Sequence, residues 1–136
     1  MRITHSPRSV ELSGTRVRMA RSREGVIRLW ARDDLGLACA LGAAHAHHRL
    51  VQMLLVRLIG QGRLCECLKS SEDTLAIDLF MREMGFARSP VAAAGDLSVE
   101  ARALTEAYAA GVNHVLATER RPLELWLVRY RPEPWT

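Results

Sequence analysis

The densest cluster of chemistry-bearing side chains in the sequence is the run HAHHR, His45 to Arg49. Imidazoles at positions 45 and 48 fall on one face of a helix, and with Cys39 or Cys65 as a further donor they could hold a zinc ion. The spacing matches no standard zinc pattern and names no third and fourth ligand. The reading adopted is therefore histidines held by hydrogen bonds in a core or at an interface, with no metal and no cofactor. Hydroxyl and thiol nucleophiles fare no better. Ser70, Ser71 and Ser98 stand where helix caps belong, no G-x-S-x-G occurs, and no feature around Cys65 or Cys67 marks an activated thiol. By motif alone the chain carries no catalytic residue.

The bulk properties bound what can position these residues. A chain of 136 residues is long enough for one core, and 49% hydrophobic content argues against disorder. Phe, Trp and Tyr together supply seven residues, so Leu, Ala, Val and Met must do most of the packing, and such a core often needs a partner. The net charge of +4 is uneven: residues 1–32 carry eight Arg against Glu11 and Glu24, a local +6, which leaves −2 for residues 33–136. These arginines lack interleaved stacking aromatics and any groove-binding motif, so the reading is no nucleic acid. Three cysteines without CxxC spacing suit a reducing compartment. The N-terminal stretch lacks the apolar segment of a signal peptide, and LVQMLLVRLI is ten residues interrupted by Gln52 and Arg57. No membrane span is expected, and the cytoplasm is the expected location.

The pattern predicts an α+β chain, mostly helical, forming a single incomplete module. Residues 1–14 read as an N-terminal arm. Residues 15–31 read as a hairpin, with Val17 and Met19 alternating with Arg and a turn over Ser22 to Gly25. Residues 33–118 form the helical part. Asp33 or Asp34 caps a long helix that Gly60 and Gly62 end, and a second helix runs from Ser71 to Met84 with Gly85 as C-cap and Leu75, Leu79 and Phe80 on one side. A third helix starts at Ser98, with Glu100 in its first turn and Leu104, Tyr108, Gly111 and Val115 in one stripe. Gly111 costs that helix up to about 1 kcal/mol of propensity, which a close backbone approach would justify. VAAAGD and TERRP read as linkers, the apolar run after TERRP looks strand-like, and residues 122–136 read as an extended tail stiffened by Pro132 and Pro134.

Four segments, in order, resemble the α subunit of the penicillin acylase family of N-terminal nucleophile hydrolases. Gly42, His45, Ala46, Arg49, Leu50, Gln52 and Met53, followed by Arg57, Gly62, Arg63, Leu64 and Glu66, resemble its G-Y-x-H-A-Q-D-R-L-x-Q-M helix and G-R-L-A-E turn. Asp78, Arg82, Gly85 and Arg88 resemble D-x-x-x-R-x-x-G-x-x-R. Leu97, Ser98, Glu100, Leu104, Tyr108, Ala109, Gly111, Val112 and Asn113 resemble L-S-P-E-x-x-x-x-L-x-A-Y-A-x-G-V-N. Pro122, Glu124, Leu127, Pro132, Glu133, Pro134 and Trp135 resemble P-x-E-x-x-L-x-x-x-P-E-P-W. Two departures stand out. The family's G-V-P-H-I is Gly25-Val26-Ile27-Arg28-Leu29 here, and the acid of its Q-D-R is His48. An imidazole cannot give Arg49 a negative partner, so that arginine is expected to pair with Glu66 or across a subunit boundary.

The resemblance implies the α-subunit part of an αββα fold and an obligate heterodimer with a β subunit cut from the same precursor. It implies hydrolysis of an N-acyl amide in a small-molecule substrate by the N-terminal nucleophile of that β subunit, with this chain supplying pocket walls and scaffold. Arg49, Arg63, Tyr108 and Trp135 are the expected interface residues. For Trp135 two placements compete: back against the third helix, near Tyr108 or Val112, or beneath the partner, and the second is preferred. The alternative to all of this is a stand-alone basic helical module that binds nucleic acid or a protein partner through residues 1–32.

Overall fold

A computed structural model describes residues 6–86 and 95–136. Arg88 and most of the VAAAGD linker lie outside the described residues. The chain is α+β and mostly helical, with one three-stranded antiparallel sheet of order β1-β2-β3. The strands are β1 (Arg8–Leu12), β2 (Thr15–Arg21) and β3 (Ile27–Trp30). The helices are α1 (Asp34–Gln61), α2 (Leu64–Cys67), α3 (Glu72–Met84), α4 (Val99–Thr118) and α5 (Leu123–Leu127). The chain divides into two compact units, Met1–His48 with Val99–Arg120 and Glu133–Thr136, and Arg49–Ser98 with Arg121–Pro132.

In the first unit β2 alternates as the sequence predicts, burying Val17 and Met19 and exposing Arg16 and Arg18. Its pairing with β3 runs from Arg18 opposite Trp30 to Arg21 opposite Ile27. The turn between them is closed by the Ser22 amide donating to the Val26 carbonyl at 2.8 Å. The expected arm is a correction: Arg8–Leu12 is a third strand, paired with β2 from Arg8 opposite Met19 to Leu12 opposite Thr15. Its connection is the two-residue turn Ser13-Gly14, with φ of 49° and 81°, the double left-handed geometry that matches strand twist.

Asp33 caps α1, its Oδ1 accepting from the Gly36 amide at 2.7 Å. Within this unit α1 buries Cys39, Ala40, Ala43, Ala44 and Ala46. These small side chains let the backbones of α1 and α4 touch. A Cβ on Gly42 would run into the Tyr108 carbonyl oxygen, and one on Gly111 into the Cys39 carbonyl oxygen. The close approach expected at Gly111 is therefore present, and Gly42 reciprocates it. At Arg49, with φ −137° and ψ 21°, α1 departs from helical geometry.

The second unit is built on Leu54, Leu58, Leu64, Leu125 and Tyr130, with Leu50, Val51 and Leu68 packed against them. Ser71 and Gly85 bound α3 as expected. The Ser71 hydroxyl accepts from the Thr74 amide while Thr74 Oγ1 accepts from the Ser71 amide, and Gly85 sits at φ 75°. Leu75, Leu79 and Phe80 of α3 are exposed, and its buried residue is Asp78. One detail corrects the sequence reading. The strand-like run in the tail is the helix α5: Pro122, with φ −52°, enters it, and Arg129, with φ 55°, leaves it. The Tyr130 amide donates to Leu125 and that of Arg129 to Trp126, which closes the helix. Residues 132–136 carry no regular secondary structure, in keeping with the missing amide donors of Pro132 and Pro134.

Candidate functional site

The histidine cluster resolves into two separate pairings on the first unit. His45 Nδ1 lies 3.0 Å from the Tyr108 hydroxyl, with the rings edge-on at 5.9 Å and 68°. Burial pushes the Tyr108 phenol up, so it stays protonated as a hydrogen-bonding hydroxyl. His47 Nδ1 stands 2.9 Å from both oxygens of Glu119. Burial of Glu119 works to raise its pKa, but hydrogen bonding and the nearby positive charge, His47 among their sources, outweigh it and hold the group below the usual carboxylate range. His48 packs its ring on His47 at 4.7 Å. Hydrogen bonds therefore account for His45 and His47. Among the described residues no three His, Cys, Asp or Glu side chains gather as a metal site.

The thiols and hydroxyls are likewise structural. Cys39 is buried, its Sγ 3.9 Å from the Leu12 carbonyl, and burial raises its pKa, the opposite of what a nucleophile needs. Cys65 Sγ lies 3.2 Å from Thr74 Oγ1, and Ser71 is occupied as a helix cap.

Of the four expected interface residues, Tyr108 and Trp135 belong to the first unit and Arg49 and Arg63 to the second. Arg49 is exposed where α1 breaks. Glu66, the partner suggested for it within the chain, is held instead by Arg63, whose Nε and Nη2 donate to the two carboxylate oxygens at 3.1 and 2.8 Å. Tyr108 holds His45, as described above. Trp135 is half-buried and tied to α4 on both sides: its amide donates to Asn113 Oδ1 at 2.7 Å, and Asn113 Nδ2 donates to its carbonyl at 2.8 Å. These two bonds tie the backbone of the tail to the third helix at Asn113. The sequence reading assigned Asn113 no role; its carboxamide offers a donor and an acceptor at once, which suits a clamp on an extended backbone.

The second unit holds a polar lock that sequence reasoning missed. Asp78 is 3% exposed, and its two oxygens accept from the amides of Leu64 and Cys65, each at 2.8 Å. Burial alone would raise its pKa. The two amides, the Cys65 side chain and the Arg82 charge more than compensate and keep it an anion. Arg82 Nε in turn donates to the Gly62 carbonyl at 2.8 Å. Asp and Arg four apart on α3 carry the signal for this arrangement, which fixes the turn after α1 and the start of α2. The same unit exposes a large apolar surface. Leu79, Phe80 and Met84 of α3, and Leu123, Trp126 and Leu127 of α5, are each more than half exposed.

No catalytic constellation stands among the described residues, and the relationship to known proteins lies in the arrangement of these elements. Residues 16–136 match the family model described as Penicillin amidase. The chain is 38% identical over 98 residues to the acyl-homoserine lactone acylase QuiP of Pseudomonas aeruginosa, covering 71% of this chain and 11% of that protein. It is 34% identical over 120 residues to the penicillin acylase 2 proenzyme of Pseudomonas sp. strain SE83, covering 88% of this chain and 15% of that one. Its structure is similar to that of a thermostable penicillin G acylase from Alcaligenes faecalis, with a TM-score of 0.79 at 28% identity, covering 88% of this chain and 65% of the matched one. The chain thus spans about an eighth of the length of these curated relatives. With a match running almost end to end, the chain belongs to the penicillin amidase family.

Proposed function

We propose that these residues are the α subunit of a self-processed, heterodimeric N-terminal nucleophile amidohydrolase. They scaffold the second chain and wall part of its substrate pocket. The observation that carries this reading is the family match over residues 16–136. In such a reaction the N-terminal residue of the β chain attacks the amide carbonyl, its own α-amino group takes the proton, the amine leaves, and water releases the acid. The α-amino group suits that task because its pKa, roughly 8, lies near neutrality. The substrate is an N-acyl amide, the bond class that the names of both acylase relatives imply.

The exposed apolar side chains of α3 and α5 support a large partner surface, since burying what each still exposes would contribute roughly 1–2 kcal/mol. Arg49, exposed at the helix break, together with Arg63, Tyr108 and the half-buried ring of Trp135, complete the proposed interface. Trp135→Ala would then weaken assembly by about 2 kcal/mol or more. The three cysteines, none of them in a disulfide, support a reducing cytoplasm as the compartment.

The test is activity. The full-length product should hydrolyse members of a panel of penicillins and N-acyl-homoserine lactones, and replacing the first residue of its second chain by Ala should abolish turnover. Turnover that survives that replacement would refute the reading.

A further inference from the structure

The sheet of the first unit carries a feature that the amidase reading does not use. A cavity of about 280 Å³ is lined by Ser9, Arg16, Arg18, Trp30, Ala31 and Arg32. The register explains why they converge. Ser9 faces Arg18 across β1 and β2, and Arg18 faces Trp30 across β2 and β3, so one row crosses the exposed side of all three strands. Arg16 lies two residues from Arg18, on the same face by strand alternation. The Arg18 guanidinium sits over the Trp30 ring at 5.6 Å. Arg16, Arg18 and Arg32 form no ion pair among the described residues. Glu11 stands opposite Arg16 in the register, which leaves an excess of two positive charges around the concavity for an anion to offset, and guanidinium forks match the two oxygens of a carboxylate. The indole and Ala31 add an apolar wall.

We propose that this cavity is a binding site for a small organic anion, a carboxylate carried on a flat apolar or aromatic body. The carboxylate is held by Arg16, Arg18 and Arg32, and the body lies against Trp30. The volume is at the small end of ligand sites, which run from about 300 Å³ upward, and suits a single-ring compound. This site is independent of the proposed amidase activity, and binding alone reads it out.

The full-length protein is titrated with benzoate by calorimetry and by tryptophan fluorescence, with inorganic sulfate as a probe of charge alone. Benzoate should bind saturably and more tightly than sulfate. Arg18→Gln should weaken it at least tenfold, and Trp30→Leu should weaken benzoate more than sulfate while removing the fluorescence response. Arg28→Gln, on the neighbouring strand but outside the cavity, should leave binding within twofold, and circular dichroism should be unchanged in all three variants. Linear, non-saturating uptake, equal affinity for sulfate, or equal losses in Arg18→Gln and Arg28→Gln would overturn the proposal. Absence of benzoate binding to the full-length protein would overturn it as well.

Discussion

Replacing Gly111 by alanine sets two effects of opposite sign against each other. Gly111 lies within α4, where helix propensity alone favours alanine by about 1 kcal/mol. The new Cβ, however, would collide with the Cys39 carbonyl oxygen and stand 2.8 Å from the Cys39 carbonyl carbon and 2.9 Å from the Ala43 nitrogen. Main-chain atoms cannot rotate away as a side chain does, so α1 and α4 must separate locally. Overpacking costs about 1–3 kcal/mol, and with backbone on both sides the upper end applies, leaving a net loss of ~2 kcal/mol after propensity is deducted. Gly60→Ala is the control. It also lies in a helix, but its Cβ would have no atom within 4 Å, so it should gain up to about 1 kcal/mol. Amide hydrogen exchange of the full-length protein separates the two: α4 protection should fall about 30-fold in Gly111→Ala, while the end of α1 gains up to about fivefold in Gly60→Ala. Equal or greater protection of α4 in Gly111→Ala would refute the backbone contact between the helices.

Asp78→Ala should destabilise by ~3 kcal/mol in thermal unfolding, because it removes two charge-assisted bonds and leaves the Leu64 and Cys65 amides without their acceptor. Asp78→Asn, which keeps one acceptor oxygen, should fall between the two, and an unchanged midpoint would dismiss the lock. The folded pKa of Asp78 is depressed, so its contribution is fully present above the unfolded value of about 3.9 and is lost as pH falls through the folded value. The stability gap between wild type and Asp78→Ala should therefore be flat near neutrality and close in acid; a gap that persists at the lowest pH contradicts this. Thiol labelling of the native protein should leave Cys39 unmodified until unfolding, since it is buried and its pKa is raised, whereas rapid native labelling of Cys39 would place it elsewhere.

The elements with chemical punctuation were legible in the sequence. Asp33, Ser71 and Gly85 cap what they were expected to cap, and glycine at position 111 signalled a backbone contact because nothing else justified its cost inside a helix. β1 was missed although Ser13-Gly14 is a hairpin signal, because Arg8–Leu12 buries little beyond Leu12 and its alternation is faint. α5 was missed because five residues, four of them apolar, do not distinguish a strand from one helical turn; only tertiary packing of Leu125 decides it. Asp78 was hidden for another reason. A carboxylate between Ile77 and Leu79 reads as the solvent side of a helix, and its burial depends on the amides of α2, an element too short to announce itself.

The central claim, that these residues act as the non-nucleophile subunit of a self-cleaved amidohydrolase, is tested most directly by intact-mass spectrometry of the full-length product purified through a tag on this segment. The account predicts two chains that co-purify in equal amounts, the second beginning with Ser, Cys or Thr, with cleavage abolished when that residue is replaced by Ala. A single uncleaved chain that turns over N-acyl amides, or recovery of this segment alone as a stable monomer, would contradict it.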